Sequence, residues 1–184
     1  QGADTVIAQI VAEELGIPVE DVNVIHNGTE VCPWDVGVHA SRTTFVAGNS
    51  ALYAARKIKA KLIEITSKVL EVSTEDVYIK NGVAYSKSDP KKSVSLARAL
   101  RRAHFTTRGC MLMAEHFYDP NNENLDKEFK GNLSAAYAYG THGVELEVDT
   151  ETGKVKILKY VAAHDVGRAI NPLLLEGQIY GAVL

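Results

Sequence analysis

Four absences narrow what this chain can be before any motif is read. Cysteine is almost missing: Cys32 and Cys110 are the only two in 184 residues. Two thiols without metal-ligand spacing cannot build a disulfide framework or supply iron–sulfur ligands, and they fit a reducing cytosol. Long apolar runs are missing too. No window approaches the ~18 consecutive apolar residues of a membrane-spanning helix, so no membrane contact is expected. A basic excess is absent: 20 Lys and Arg stand against 23 Asp and Glu, a formal net charge of -3. That leaves no field for a polyanion, and nucleic acid is not expected as a partner. The one basic run, Arg98-Ala-Leu-Arg-Arg-Ala-His104, reads as a solvated helix face before it reads as a phosphate site. Finally, QGADTVIAQ has no charged leader and no cleavage pattern, so no signal peptide is expected.

What is present is an ordinary globular balance, 46% hydrophobic and 23% charged, over a length that suits one domain or two small lobes. Val6, Ile7, Ile10, Val11 and Leu15 fall at helical spacing and Gly16 supplies a stop, so a helix is expected over 5–15 with Asp4 or Thr5 as its cap. Val22–His26 reads as a short strand, Asn27-Gly28 as a turn, and residues 29–41 as irregular backbone of the kind that carries sites. A long amphipathic helix is expected over about 47–70, on Leu52, Ala55, Ile58, Leu62, Ile65 and Leu70. Asn81-Gly82 marks a hairpin between Val77–Lys80 and Val83–Tyr85. Ser93 is placed to cap a helix reaching about Ala103, and residues 109–118 look extended before a polar loop at 119–127. Alternation at Val144, Leu146 and Val148, a Glu151-Thr-Gly153 turn, and renewed alternation over 154–162 give a second antiparallel hairpin. Pro172 suits the first turn of a last helix. The order is α+β rather than a regular β-α-β alternation, with no internal repeat apparent.

Familiar catalytic patterns do not emerge. The six histidines are scattered, with no i, i+4 pair and third ligand, so no protein-ligated metal site is expected. Ser41 lacks a nucleophile-elbow context, and residues 131–143 do not form a dinucleotide fingerprint. What does stand out is the gathering of small and hydroxyl residues at helix starts, in Gln1-Gly-Ala-Asp-Thr5 and Ala40-Ser-Arg-Thr-Thr44. Unsatisfied N–H groups and the helix dipole favour an anion there, and Ser and Thr add donors. Plain helix capping accounts for the same residues.

Four stretches in order carry a resemblance: Gln1-Gly-x-x-Thr5 with AQIVAEELGIPVEDVNVI, CPWDVG followed by HASRTTFVAGN, and VELEVDTETGKVKILKYVAAHDVGRAINPLLLEGQ. Together they resemble the molybdenum hydroxylases, the xanthine dehydrogenase and aldehyde oxidase family, in its molybdopterin-binding part. The resemblance implies that residues 1–184 form a single segment of that domain, incomplete at both ends. It implies a molybdopterin with molybdenum, in bacterial members often as the cytosine dinucleotide, gripped by backbone amides and short polar side chains, with no protein ligand on the metal. By position, Gln1 and Gly2 match the Gly-Gln-Gly cofactor motif, whose first glycine is absent. Ala40, Ser41, Arg42, Thr43 and Thr44 match the small polar loop on the cofactor, and Gln178 matches a glutamine on the pterin.

The resemblance further implies hydroxylation of a carbon next to nitrogen or oxygen in a small-molecule substrate, with water as the oxygen source. The wording CPWDVGVHASRTTFVAGN is closer to 4-hydroxybenzoyl-CoA reductase-like members, which run a reductive dehydroxylation. Iron–sulfur clusters and FAD are expected on other domains or subunits, in a cytoplasmic assembly with the remaining parts of the molybdenum subunit. The family's general base is a glutamate in a Gly-Glu motif expected beyond Leu184, so no residue here inherits a catalytic role and the segment alone is expected to be inactive and prone to self-association. His164, Asp165 and Arg168 are expected to organise the turn before the last helix. The competing reading is a subunit-assembly module of the same fold that binds no cofactor.

Overall fold

The computed structural model describes every residue except Asn27, Val31, Arg108 and Leu184. The turn expected at Asn27-Gly28 therefore lies partly outside the described residues. The fold is α+β, as expected, and the chain forms two compact units, Gly2–Pro120 and Asn121–Leu184, the latter grouping with Gln1.

The first unit is built on two helices. α1 spans Ala3–Leu15 and α2 spans Thr43–Leu70. Both begin earlier than their apolar rhythm indicates. Neither Asp4 nor Thr5 caps α1: its N-cap is Gly2, in the left-handed region at φ 82°, with no side-chain cap. Ala8 and Ala12 give α1 a narrow face, and α2 answers it with Gly48, where a Cβ would sit 2.9 Å from the Ile10 Cδ1. Further along, Glu14 meets Arg56 at 3.4 Å and Lys59 at 3.3 Å. Low numbers meet low numbers and high meet high, so the two helices run parallel.

Next come three short antiparallel strands, β1 (Val77–Lys80), β2 (Val83–Ser86) and β3 (Ser93–Ser95), in the order β1-β2-β3. The expected Asn81-Gly82 turn is present, both residues at positive φ, 50° and 72°. Ser93 does not cap a helix. Ser93-Val-Ser pairs with β2 because Val94 alternates into the core, and α3 (Leu96–Thr106) starts after Ser95, whose hydroxyl accepts the Arg98 N–H at 3.3 Å. Leu62 and Leu70 of α2, Val77, Ala84 and Val94 of the strands, and Leu96 and Ala99 of α3 form the buried cluster. Thr66, fully buried, is satisfied within its own helix by donating to the Leu62 carbonyl at 2.7 Å.

The two helix ends of this unit share one backbone geometry. α1 ends at Gly16 (φ 71°) and α2 at Glu71 (φ 56°), both left-handed. In each case the next residue donates back five positions, Ile17 to Ala12 and Val72 to Ser67, and a 3-10 turn follows at Val19–Asp21 and Thr74–Asp76. The stretches are LGIPVEDV and LEVSTEDV. Only Leu, Glu-Asp and Val coincide, so the repeat is carried by backbone geometry more than by identity. The copies then diverge: Val77–Lys80 pairs as β1, whereas residues 22–26 lie in no strand, contrary to expectation. Residues 111–118 join no sheet and run antiparallel along α2. Ser50 donates to the His116 carbonyl, Lys57 to Glu115 at 2.7 Å, and Tyr53 stacks on Tyr118.

Asp76 closes the second 3-10 turn onto the hairpin. It accepts the hydroxyl of buried Ser86, the Ser88 hydroxyl at 2.9 Å and the Ser88 N–H at 2.8 Å. The Ser86 hydrogen bond, helped by those of Ser88, holds the Asp76 carboxyl below its ordinary range against the opposing effect of burial. A depressed carboxyl contributes stability above its unfolded pKa and loses it as pH falls through the folded value. The stability of the chain should therefore decline on acidification below about pH 4, and Asp76→Asn should flatten that decline while lowering stability at pH 7. Denaturant unfolding at pH 7, 5 and 3 measures both; equal pH slopes in the two proteins would refute it.

The second unit is a hairpin and a helix. β4 (Tyr139–Val148) pairs antiparallel with β5 (Val155–Asp165), and α4 spans Pro172–Val183. Asp149 holds the connecting turn through the Thr152 hydroxyl and the N–H groups of Glu151 and Thr152, which lower its carboxyl pKa. The Leu174 N–H binds the Asn171 side chain at 3.1 Å at the start of α4. Between Glu145 and Leu146 the register shifts by one. The hairpin keeps an apolar face of Val144, Leu146, Val148, Val155 and Ile157, all 44–60% exposed. No described helix is long and apolar enough to cross a membrane.

Candidate cofactor-binding site

The parallel run of α1 and α2 decides where their N-termini lie. Ala3 precedes Ile10 by seven residues and Thr43 precedes Gly48 by five, and Ile10 touches the Gly48 position. At ~1.5 Å of rise per residue, both helix starts stand at one end of the pair, within about one turn in level. Gly2 and residues 40–44 are thus brought together in the first unit.

The α2 start offers donors of the kind an anion takes up. Ala40 and Ser41 are consecutive left-handed residues (φ 54° and 51°), a conformation that costs energy without glycine and concentrates at functional turns. Arg42 is the N-cap and makes no side-chain cap hydrogen bond. Thr43 and Thr44, expected in the loop, instead form the first helical turn, because α2 starts at Thr43. Among the described residues the first-turn N–H groups therefore have no side-chain acceptor, no acidic residue occupies that turn, and Arg42 adds positive charge. The α1 start is less open to an anion: it too lacks a side-chain cap, but Asp4 stands in its first turn, 3.4 Å from His26 Nδ1. Donors without a carboxylate suit a phosphate or pyrophosphate, so the residues fit the phosphate-bearing end of a molybdopterin.

Gln178 lies within α4 and is exposed. It does not line the open cleft between β5 and α4 formed by Tyr160, Ala162, Glu176, Ile179, Tyr180 and Val183. Gln1 is also exposed. Asp165 holds the turn after β5 by accepting the Gly167 N–H at 3.0 Å, the role expected for it. His164 does not share that role. Its Nε2 lies 2.8 Å from His142 Nε2, and His142 Nδ1 lies 2.7 Å from the Tyr160 hydroxyl. Helical spacing could not reveal this cluster, since its members meet across strands.

The family profile for the molybdopterin cofactor-binding domain matches residues 1–184. The chain belongs to this family. The molybdopterin-binding chain is 34% identical over its whole length to the carbon monoxide dehydrogenase large chain of Hydrogenophaga pseudoflava, covering 22% of that protein. It is 35% identical to the 6-hydroxypseudooxynicotine dehydrogenase complex subunit gamma of Paenarthrobacter nicotinovorans, again covering 22% of it. To the putative xanthine dehydrogenase molybdenum-binding subunit of Escherichia coli it is 34% identical, over 23% of that subunit. Among solved structures, Cu,Mo-CO dehydrogenase matches 98% of the chain at 30% identity and TM-score 0.78, over 22% of its own length. Quinoline 2-oxidoreductase from Pseudomonas putida 86 matches at 27% identity and TM-score 0.76. The molybdopterin-binding chain thus spans about a fifth of the relatives it matches. It is a molybdopterin cofactor-binding segment, and the reading as a module without cofactor is not favoured.

Proposed function

We propose that this segment holds the molybdopterin of a molybdenum-dependent oxidoreductase chiefly through the exposed N-terminal end of α2. The observation that carries the reading is that uncapped first turn behind the left-handed pair Ala40-Ser41. The amides of Thr43 and Thr44, their hydroxyls and that of Ser41 bind phosphate oxygens, with Arg42 offsetting their charge. Gly2 lets a ligand approach the α1 start closely. In the other unit, the carboxamides of Gln1 and Gln178 are donors and acceptors of the kind a pterin edge takes. The cytosine dinucleotide form suits a stretch of donors longer than one phosphate needs. When bound, the cofactor supplies a redox-active molybdenum for hydroxylating a carbon beside nitrogen or oxygen with water as the oxygen source.

The relatives named as dehydrogenases, together with a nicotine 6-hydroxylase large subunit, favour the oxidative direction over reductive dehydroxylation. Iron–sulfur clusters and FAD on other domains or subunits carry the electrons away, and a cytoplasmic setting suits the free thiols Cys32 and Cys110. The apolar face of the β4–β5 hairpin is the surface for the rest of the molybdenum subunit. The sequence contains no Gly-Glu dipeptide, so these 184 residues lack the base and do not turn over substrate alone. Turnover of a panel of N-heterocycles and aldehydes by the whole protein in ¹⁸O-labelled water tests the reading. Product oxygen should carry the label; oxygen drawn from O2 instead, or no turnover of any member by molybdenum-loaded protein, would overturn it.

A further inference from the structure

We infer that His142 and His164 form a two-imidazole site for a divalent transition ion. A one-residue shift makes the pair. From the turn, Val148 pairs with Val155 and Leu146 with Ile157, a register that would place His142 opposite Val161 and away from the face of Tyr160 and His164. The bulge at Glu145/Leu146 adds one residue, so that His142 faces Ala162, Gly140 faces His164 and Val144 faces Tyr160. His142, Tyr160 and His164 then share one face as diagonal neighbours.

The details suit a metal. The Nε2–Nε2 separation is 2.8 Å, and both rings are exposed. At metal–nitrogen bonds of about 2.0 Å, adjacent corners of a square-planar ion lie about 2.8 Å apart, whereas two tetrahedral corners need about 3.3 Å. In the metal-free chain this separation is a hydrogen bond, one ring's Nε2–H donating to the other's Nε2; an ion with corners at about 90°, nickel(II) or copper(II), can take the place of that hydrogen without moving the two nitrogens apart. The exposed rings need only tilt to bring both lone pairs onto one ion. With His142 protonated at Nδ1, that hydrogen is donated to the Tyr160 hydroxyl at 2.7 Å, which leaves Nε2 free to ligate. At Gly140 a Cβ would lie 3.0 Å from His164 Nδ1 and 3.1 Å from Cε1, so glycine makes room for the ring. No group of three or more His, Cys, Asp or Glu among the described residues is placed to hold a metal.

Calorimetric titration of the whole protein with nickel(II) at neutral pH tests the site, with copper(II) electron paramagnetic resonance as the second readout. One equivalent should bind, and the copper spectrum should show two equatorial imidazole nitrogens. His142→Ala and His164→Ala should each weaken nickel binding at least tenfold, Tyr160→Phe and Gly140→Ala severalfold, and His104→Ala not at all. Circular dichroism confirms that the exposed-site variants fold. No binding by the wild type, or unchanged binding in both His142→Ala and His164→Ala, would overturn the inference.

Discussion

Thr44→Asp in the whole protein should raise the stability of the cofactor-free form and at the same time lower its molybdenum content at least tenfold. Both effects have one cause. Thr44 lies in the first turn of α2, where the N–H groups have no side-chain acceptor among the described residues and no acidic residue is present. A carboxylate placed there binds those donors and meets the positive end of the helix dipole, which contributes about 0.5–1 kcal/mol. The same carboxylate occupies the donors that a phosphate needs and repels its charge. Thr44→Asn, a neutral side chain of the same shape, should lose much less molybdenum. Thermal unfolding of the apo-protein and metal analysis of the loaded protein give the two numbers. Higher stability with undiminished molybdenum would show that the anion does not sit on α2. A merely structural role for Thr44 would instead move both quantities together.

The second large effect concerns the two helix ends that share one geometry. Gly16→Val should destabilise the chain by about 3 kcal/mol or more, lowering Tm by roughly 10 °C. Gly16 has φ 71°, and a Cβ there would stand 2.5 Å from the Ile79 carbonyl oxygen and 3.0 Å from its carbon. Backbone on β1 cannot step aside as a side-chain tip can. Glu71 holds the equivalent position of α2 at φ 56°. Glu71→Gly should therefore shift stability the other way, by about +0.5–1 kcal/mol, as a left-handed residue loses its Cβ penalty. Denaturant unfolding of both variants checks the pair of signs. A neutral Gly16→Val, or a Glu71→Gly as damaging as Gly16→Val, would contradict the shared-cap reading.

These two sites also show what could be seen in the amino acids alone. The body of each long helix was legible, because Ile10, Leu62 and Leu70 repeat at helical spacing, and so were both hairpins, because Asn81-Gly82 and Thr152-Gly153 fix their turns. The helix starts were not. Gly2 caps α1 through its backbone alone, and Thr43 to Val46 carry no apolar stripe, yet α2 extends through them. Ser93 resembled a cap, but Val94 between two serines packs better as a strand residue against β2. The αL cap and 3-10 turn repeat hid because Gly16 and Glu71 share a conformation and no chemistry. For the site, residue types at 40–44 pointed to an anion, but only the contact of Ile10 with the Gly48 position showed that α1 and α2 start at the same end. The His142–His164 pair was out of reach, since a bulge between Glu145 and Leu146 decides which face each ring occupies.

The central claim is that the first-turn amides of α2 are free donors that the cofactor takes up. Amide hydrogen exchange read on the 38–50 region of the whole protein, with and without its cofactor, addresses it directly. First-turn N–H groups have no intrahelical acceptor and exchange quickly unless a ligand binds them. The amides of Thr43, Thr44 and Phe45 should exchange at least tenfold more slowly when the cofactor is bound, while those in the middle of α2 do not change. Equal exchange at these three amides in fully loaded and cofactor-free protein would contradict it.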